Sequence, residues 1–312
     1  MLPSSRPSYC LRLLPDRVTL SQPQRAWRFA SWKRKWTDAA TPLTDSDVLV
    51  GTHAVQEMAM ADEPGPHSAQ HSTHQPWQRA LQACSPLLAE LAAGSQLTVV
   101  VSNQWLRYKL LPAMPPMQSQ AASLAVARAL FMDTYGEAAA TWHIALEPLP
   151  QGGYQFACAL DRSLLEAITA MAAQAGCRLV SVQPAMMHLY NRLCRHLSRD
   201  LCGLVQVEAG RIHLALMRDG GWLAFSACAS HAQDWPQQQL LALLQREMVL
   251  LGDAPLVPGK LYVNVALAAA HSAAWPALQA SLAEMGWQAV PVFSHERSMS
   301  KLASPAAAWV GG

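Results

Sequence analysis

ALDRSLLEAITAMAAQAGCRLVSVQP, residues 159–184, reads as the end of one strand, a helix and a second strand in unbroken succession. Asp161 is placed to cap the helix, because a short carboxylate accepts the N–H groups that the first turn leaves unbonded. Gly176 closes the helix over 162–175, since glycine takes the left-handed conformation favoured at a helix C-terminus without a Cβ penalty. VSVQP, 180–184, is a strand ended by Pro184, which has no N–H to give to a ladder. A further helix is predicted from about 185 to 198. Strand and helix in alternation place the chain in the α/β class.

Upstream, QLTVVVSNQWLRYKLLP contains a buried strand at 97–101 and an alternating strand at 105–111, with a turn at Ser102-Asn103. A helix over 118–135 stops at Gly136, and strands at 141–147 and 154–160 are joined by Gln151-Gly152-Gly153. Pro76 to Gly94 reads as one or two helices, with Pro86 as the interruption. Residues 9–22 form a hairpin about Pro15-Asp16. Residues 37–75 show no sustained periodicity and are expected to form a flexible insertion, with a short strand at Asp47–Gly51 as the alternative.

Downstream, strands at 202–208, 211–217 and 221–228 form a meander with turns at Ala209-Gly210 and Asp219-Gly220-Gly221. Gln233–Leu251 carries the apolar stripe Leu240, Leu241, Leu243, Leu244, Met248 and Leu251. A strand at 260–266, a helix at Trp275–Met285 and a strand QAVPVF follow. The expected division is a first lobe over 1–200, a second over 201–296 and a tail over 297–312. The two halves resemble each other loosely, each beginning with hairpin strands before its helices.

Charged residues make up only 14% of the 312 residues, well under the usual quarter, which points either to large protein interfaces or to poor solubility in isolation. Residues 1–37 hold eight basic residues and one acid, a net +7, which leaves −5 for the remainder of a chain of net charge +2. Seven cysteines stand singly, without a CxxC pair, as free thiols of a reducing compartment do. No secretory leader and no membrane-spanning stretch is read, so a soluble protein in the cytoplasm is expected.

Walker A, HExxH, GxSxG and Rossmann patterns are missing, as is a dense zinc cluster. His67, His71 and His74 have the spacing of one helical face, but they lie among Ser, Gln and Pro, and no metal is expected there. The glycine-containing turns are the candidates for contact with phosphate, through their backbone N–H groups. Glu208 and Gly210 frame one such turn and Asp16 sits in the first hairpin, so an acid at each turn could hold a magnesium ion or its waters. The other reading of Glu208-Ala209-Gly210 is an ordinary hairpin turn. In residues 25–36, Arg25, Arg28, Lys33, Arg34 and Lys35 alternate with Trp27, Phe29, Trp32 and Trp36. Such a segment suits a protein partner first; an anionic membrane surface or nucleic acid are the alternatives.

In order and shape these segments resemble the actin-like scaffold proteins of type IV pilus and type II secretion systems, the PilM-like group and the cytoplasmic part of the GspL-like group. LRLLPDRVTLSQ resembles their degenerate first hairpin, and VVVSNQWLRYKLLP their strand-turn-strand before a long helix. Residues 159–184 resemble the close of their first half, and GLVQVEAGRIHLALMRDGGW, 203–222, the hairpins that open the second. The resemblance implies a two-lobed, actin-like (ribonuclease H-like) fold with a cleft between the lobes. It implies ATP at glycine and aspartate turns facing that cleft, and work at the inner-membrane base of the machine through a membrane-anchored protein partner.

The turns depart from that pattern. Leu13-Leu14-Pro15-Asp16-Arg17 stands where an acid followed by glycine is wanted, Glu208-Ala209-Gly210 where Asp-x-Gly is wanted, and a Gly-Gly adenine turn is missing. The expected function is a degenerate, non-catalytic scaffold without ATP or magnesium, peripheral to the inner membrane through its partner and without DNA or RNA. A weak ATP-binding or ATP-hydrolysing protein using Asp16, Glu208 and Gly210 is the first alternative, and a nucleic-acid-binding protein using residues 25–36 the second.

Overall fold

The computed structural model describes residues 6–23, 47–54, 75–112, 119–147, 154–208, 210–230, 237–252, 257–265, 274–293 and 296–298. Residues 25–36, with Arg25, Trp27, Arg28, Trp32, Lys33, Arg34, Lys35 and Trp36, lie outside them, as do His67, His71 and His74.

The chain opens with β1 (Ser8–Leu13), β2 (Arg17–Pro23) and β3 (Asp47–Ala54), then α1 (Gln78–Ala89) and β4 (Gln96–Val101). Next come β5 (Leu106–Leu111), α2 (Gln120–Tyr135), β6 (Trp142–Leu146) and β7 (Gln155–Asp161), followed by α3 (Arg162–Gln174), β8 (Arg178–Pro184) and α4 (Ala185–Leu193). The rest runs β9 (Cys202–Glu208), β10 (Arg211–Arg218), β11 (Gly221–Ala229), α5 (Gln237–Leu250), β12 (Lys260–Val265), α6 (Ala274–Glu284), β13 (Gln288–Phe293) and β14 (Glu296–Ser298).

Three sheets result. The first has the order β14-β3-β2-β1-β4-β8, the second β11-β10-β9-β12-β13, and a small third sheet is β5-β7-β6. Leaving out β14, the two large sheets are the same figure: an antiparallel meander whose first strand lies beside a parallel strand, with the next parallel strand outside it. The halves are thus repeats in topology, a closer likeness than their sequences suggest. The third sheet, with α2, is an insert between β4 and α3.

Local chemistry accounts for most boundaries. The Asp161 carboxylate accepts the N–H of Ser163 at 2.9 Å and starts α3. Gly136 and Gly176, at φ of 63° and 64°, end α2 and the turn after α3. Pro86 does not divide α1: it sits on the exposed face in the last turn, and Gln82, whose carbonyl it leaves without a helical N–H, is an exposed residue too. The strand β3 occupies 47–54, inside the stretch expected to be a flexible insertion, and pairs along β2. The helix expected to reach 198 ends at Leu193.

One core holds the lobes together. Leu11, Leu13, Val18, Val99 and Val101 of the first sheet join Leu164 and Ile168 of α3. The same cluster continues into Leu204, Ala215, Met217, Trp222 and Tyr262 of the second sheet. The second lobe has its own layer beneath α5 and α6, around Leu240, Leu244, Leu278 and Leu282. Among the described residues no helix is long and apolar enough to cross a membrane.

Candidate functional site

The turns read as phosphate contacts do meet at the junction of the lobes. Asp16 is exposed in the β1–β2 turn, and its charge reaches Glu208 at the end of β9. Its nearest ion partner is Arg17, at 3.5 Å with both side chains about half exposed, a contact worth little in water. Gly210, at φ 75°, turns the chain from β9 into β10, and its carbonyl accepts the N–H of Ser230 at 2.9 Å.

Glu208 itself is turned inward and is 8% exposed. Its Oε2 accepts the Ser102 hydroxyl at 2.5 Å. Its Oε1 accepts the Asn103 backbone N–H at 3.3 Å, the Asn103 Nδ2 at 3.0 Å and the Gln206 Nε2 at 3.1 Å. Three of these four donors belong to the other lobe, on the turn that follows β4. Burial raises the carboxyl above its ordinary value, the Ser102 and Asn103 donors work against that rise, and the Asp16 charge adds to it.

Asn103 ties the junction further. It is fully buried, and its Oδ1 accepts the Tyr108 hydroxyl and the Met186 N–H, the latter at 3.0 Å, at the start of α4. The Ser102 N–H donates to the Leu13 carbonyl at 2.9 Å. One buried network thus binds the ends of β1, β4 and β9, the start of α4 and the insert strand β5. Each partner completes hydrogen bonds that would be costly to leave unmade in the interior.

Around this network the space between the lobes is occupied by rings. Tyr108 lies 4.6 Å from Phe225 and 5.3 Å from Phe156, and Phe156 lies 4.9 Å from Trp222, between ring centroids. Tyr190 packs on Trp222 at 4.8 Å. His213 stands edge-on to Tyr108, and burial lowers its pKa to about 3, so it is neutral throughout the physiological range. A second polar tie crosses here: the Trp222 indole N–H donates to Glu147 at the end of β6, at 2.6 Å.

Two open grooves are present, the first of them at the junction. One, of about 410 Å³, lies between the insert (Tyr108, Tyr154) and the second lobe (Phe225, Glu247, Leu250). The other, of about 540 Å³, lies between Thr141 of the insert and the start of α3, with Gln75, Asp161 and Arg162. Among the described residues no group of three or more His, Cys, Asp or Glu is arranged to hold a metal ion. Asp16 and Glu208 are two carboxylates, one of which already accepts four protein hydrogen bonds. The sequence named Glu208 and Asp16 but missed Ser102, Asn103, Tyr108, Glu147 and Trp222, whose only outward sign was a polar pair directly after a VVV run.

No family model and no curated protein matches the chain. Solved structures do. A Bacteroides thetaiotaomicron protein with an actin-like ATPase fold and unknown function superposes with a TM-score of 0.55 at 10% identity, over 94% of both chains. The PilM-PilN type IV pilus biogenesis complex gives 0.52 at 14% identity, over 95% of this chain and 91% of that one. The cytoplasmic domain of EpsL, an inner-membrane component of the Vibrio cholerae type II secretion system, gives 0.45 at 11%, over 82% and 80%. The chain thus has a two-lobed α/β actin-like fold, and its likeness to PilM is one of fold.

Proposed function

We propose that this chain is a non-catalytic scaffold that binds a protein partner during assembly of a type IV pilus or type II secretion-like machine. The observation that carries the reading is the state of Glu208. At the turn where an actin-like ATPase would present an acid to nucleotide and metal, this carboxylate is spent on Ser102 and Asn103 of the opposite lobe. The aromatic cluster beside it supports the same reading, because it fills the junction with side chains. The solved PilM structure is a complex with PilN, and the partner proposed for this chain is an inner-membrane-anchored assembly protein, so the chain would sit on the cytoplasmic face and touch the membrane indirectly. The low charge content suits such a life in a complex.

Calorimetric titration of the full chain with Mg-ATP tests the first half of the proposal, and no binding up to millimolar nucleotide is expected. The competing reading, weak ATP binding, rests on the closeness of Asp16 to Glu208. Micromolar binding that is lost in Asp16→Ala would establish it and end the scaffold reading as stated. Co-purification from membranes of the source cell tests the second half: a stoichiometric partner with one membrane anchor is expected, and a chain recovered alone from intact membranes speaks against it.

A further inference from the structure

The strands of the second sheet begin and end in two rows. In one row Glu208 pairs with Arg211, at the lobe junction. In the other, Met217 pairs with Cys202, Arg218 with Gly221, Leu261 with Gly203 and Lys260 with Gln288. β9 is seven residues long, so this second row lies about 20 Å from Glu208. Two further segments reach it. The Asp219 N–H donates to the Arg199 carbonyl at 2.7 Å and the Tyr262 hydroxyl to the His196 carbonyl at 2.8 Å, which lays the turns after α4 against the row. The last turn of α5 shares a groove wall with Leu223 and Phe225 of β11, which brings Val249 and Leu250 to the same end. At this end Val249, Leu250 and Val257 are 78%, 71% and 76% exposed, while the other exposed large apolar side chains among the described residues lie between 37% and 41%. Exposed aliphatic groups gathered at one place mark a contact with protein or membrane. Cations accompany them: Arg195, Arg199, Arg218 and Lys260 are exposed and Arg192 is half-buried. The turns after α4 continue its winding, with the Leu197 N–H on the Leu193 carbonyl at 3.1 Å. Leu193 and Leu197 therefore face the core, and Arg192, Arg195 and Arg199, spaced by three and four residues, share the outer face. The acids here are Asp200, Asp219 and Glu284, so five basic residues meet three acids, and the Asp200 carboxylate is turned to the Ser198 hydroxyl at 3.1 Å.

We propose that this end of the second lobe docks directly on an anionic lipid surface. Val249, Leu250 and Val257 enter between the headgroups, and Arg195, Arg218 and Lys260 meet the phosphates. Lipid suits this surface better than a protein groove does. A bilayer accepts aliphatic side chains of any shape without a matching pocket, and it presents negative charge over a whole plane to cations that come from three separate elements. The residues after 37 sum to −5, so a locally positive end sets the orientation of the molecule on such a plane. The contact goes beyond the scaffold reading: it adds a direct hold to the indirect one through a partner, and it does not need that partner.

The test is sedimentation of the full chain with vesicles of phosphatidylcholine alone or with about one third phosphatidylglycerol. Binding is expected to the anionic vesicles only, and to weaken at about 0.5 M salt. Leu250→Ser should lower the partition coefficient about tenfold, and Arg195→Ala with Lys260→Ala about thirtyfold. The vesicles carry no protein, so their result is separate from that of the partner co-purification. No binding to anionic vesicles, equal binding to both kinds, or binding unchanged in Leu250→Ser, as an anchor in residues 25–36 would give, overturns the proposal. Salt-sensitive binding to polyglutamate with none to vesicles makes the occupant an acidic protein and overturns it as well. Should a variant not fold, hydrogen–deuterium exchange of the native chain decides: added protection at Arg195, Leu250 and Lys260 on anionic vesicles supports the proposal, and protection only elsewhere refutes it.

Discussion

Replacing Glu208 by alanine distinguishes a carboxylate that locks two lobes from one that waits for a ligand, because the two roles give opposite signs. An acid kept for a metal or a nucleotide is a burden on the empty protein, and its removal is neutral or stabilising. Here the substitution strips an acceptor from four donors. The Asn103 side chain is fully buried, so its freed Nδ2 has no water to turn to. An orphaned buried donor costs about 1–3 kcal/mol, and breaking a buried charged partnership about 3–5 kcal/mol in all. Against this stands the relief of no longer burying a carboxyl whose pKa is raised, which trims the loss at neutral pH and not in acid. The expected result is a loss of about 3–5 kcal/mol, which for a chain of this length lowers Tm by about 5–8 °C. Glu208→Gln should lose less, because its amide keeps one acceptor but turns a donor toward the others. The assay is thermal and urea unfolding of the native chain, Glu208→Ala, Ser102→Ala and the pair. Residues in one network should couple by about 1–3 kcal/mol in the double-mutant cycle. An unchanged or raised Tm in Glu208→Ala, or additive losses in the cycle, would refute the locking role.

Gly259 precedes β12, and a Cβ there would stand 2.3 Å from the Leu201 carbonyl oxygen, so Gly259→Ala should cost about 1–3 kcal/mol in urea unfolding by pushing β12 from β9. His213 has a folded pKa lowered to about 3 against an ordinary value of about 6.5, so its contribution is complete above that value and is lost as pH falls toward 3. His213→Phe should therefore flatten the acid limb of the stability profile, by about 2 kcal/mol at pH 5, in urea titrations at stepped pH. Thiol labelling of the native chain near pH 8 should modify Cys194 and Cys228 first, since they are half-buried, and leave Cys84 and Cys158 intact. Burial raises Cys84 to about 12 and Cys158 further, so thiolate is scarce at both, and mass spectrometry reads the order directly.

Much of this protein was decided by short-range rules that sequence exposes. Asp161, Gly136 and Gly176 mark helix ends because capping and positive φ act within a few residues. The leucine stripe of α5 sorts core from surface in the same way, whereas β9 and β10 are buried on both faces. Enough of these signals in order gave the α/β class and the likeness to actin-like scaffolds. The junction was beyond their reach. Glu208 meets Ser102 across 106 residues, and Trp222 meets Glu147 across 75. Nothing in residue type or spacing states that a carboxylate beside a glycine turn has four donors waiting in another lobe. The same holds for β14, which leaves the second lobe to pair with β3 of the first sheet, and for Pro86, which the helix tolerates because the face it occupies is exposed. Sequence alone fixed which atoms could bind phosphate or metal. The tertiary fold decided that four protein donors reach Glu208, because a buried acceptor is met by whichever donors the packing brings to it.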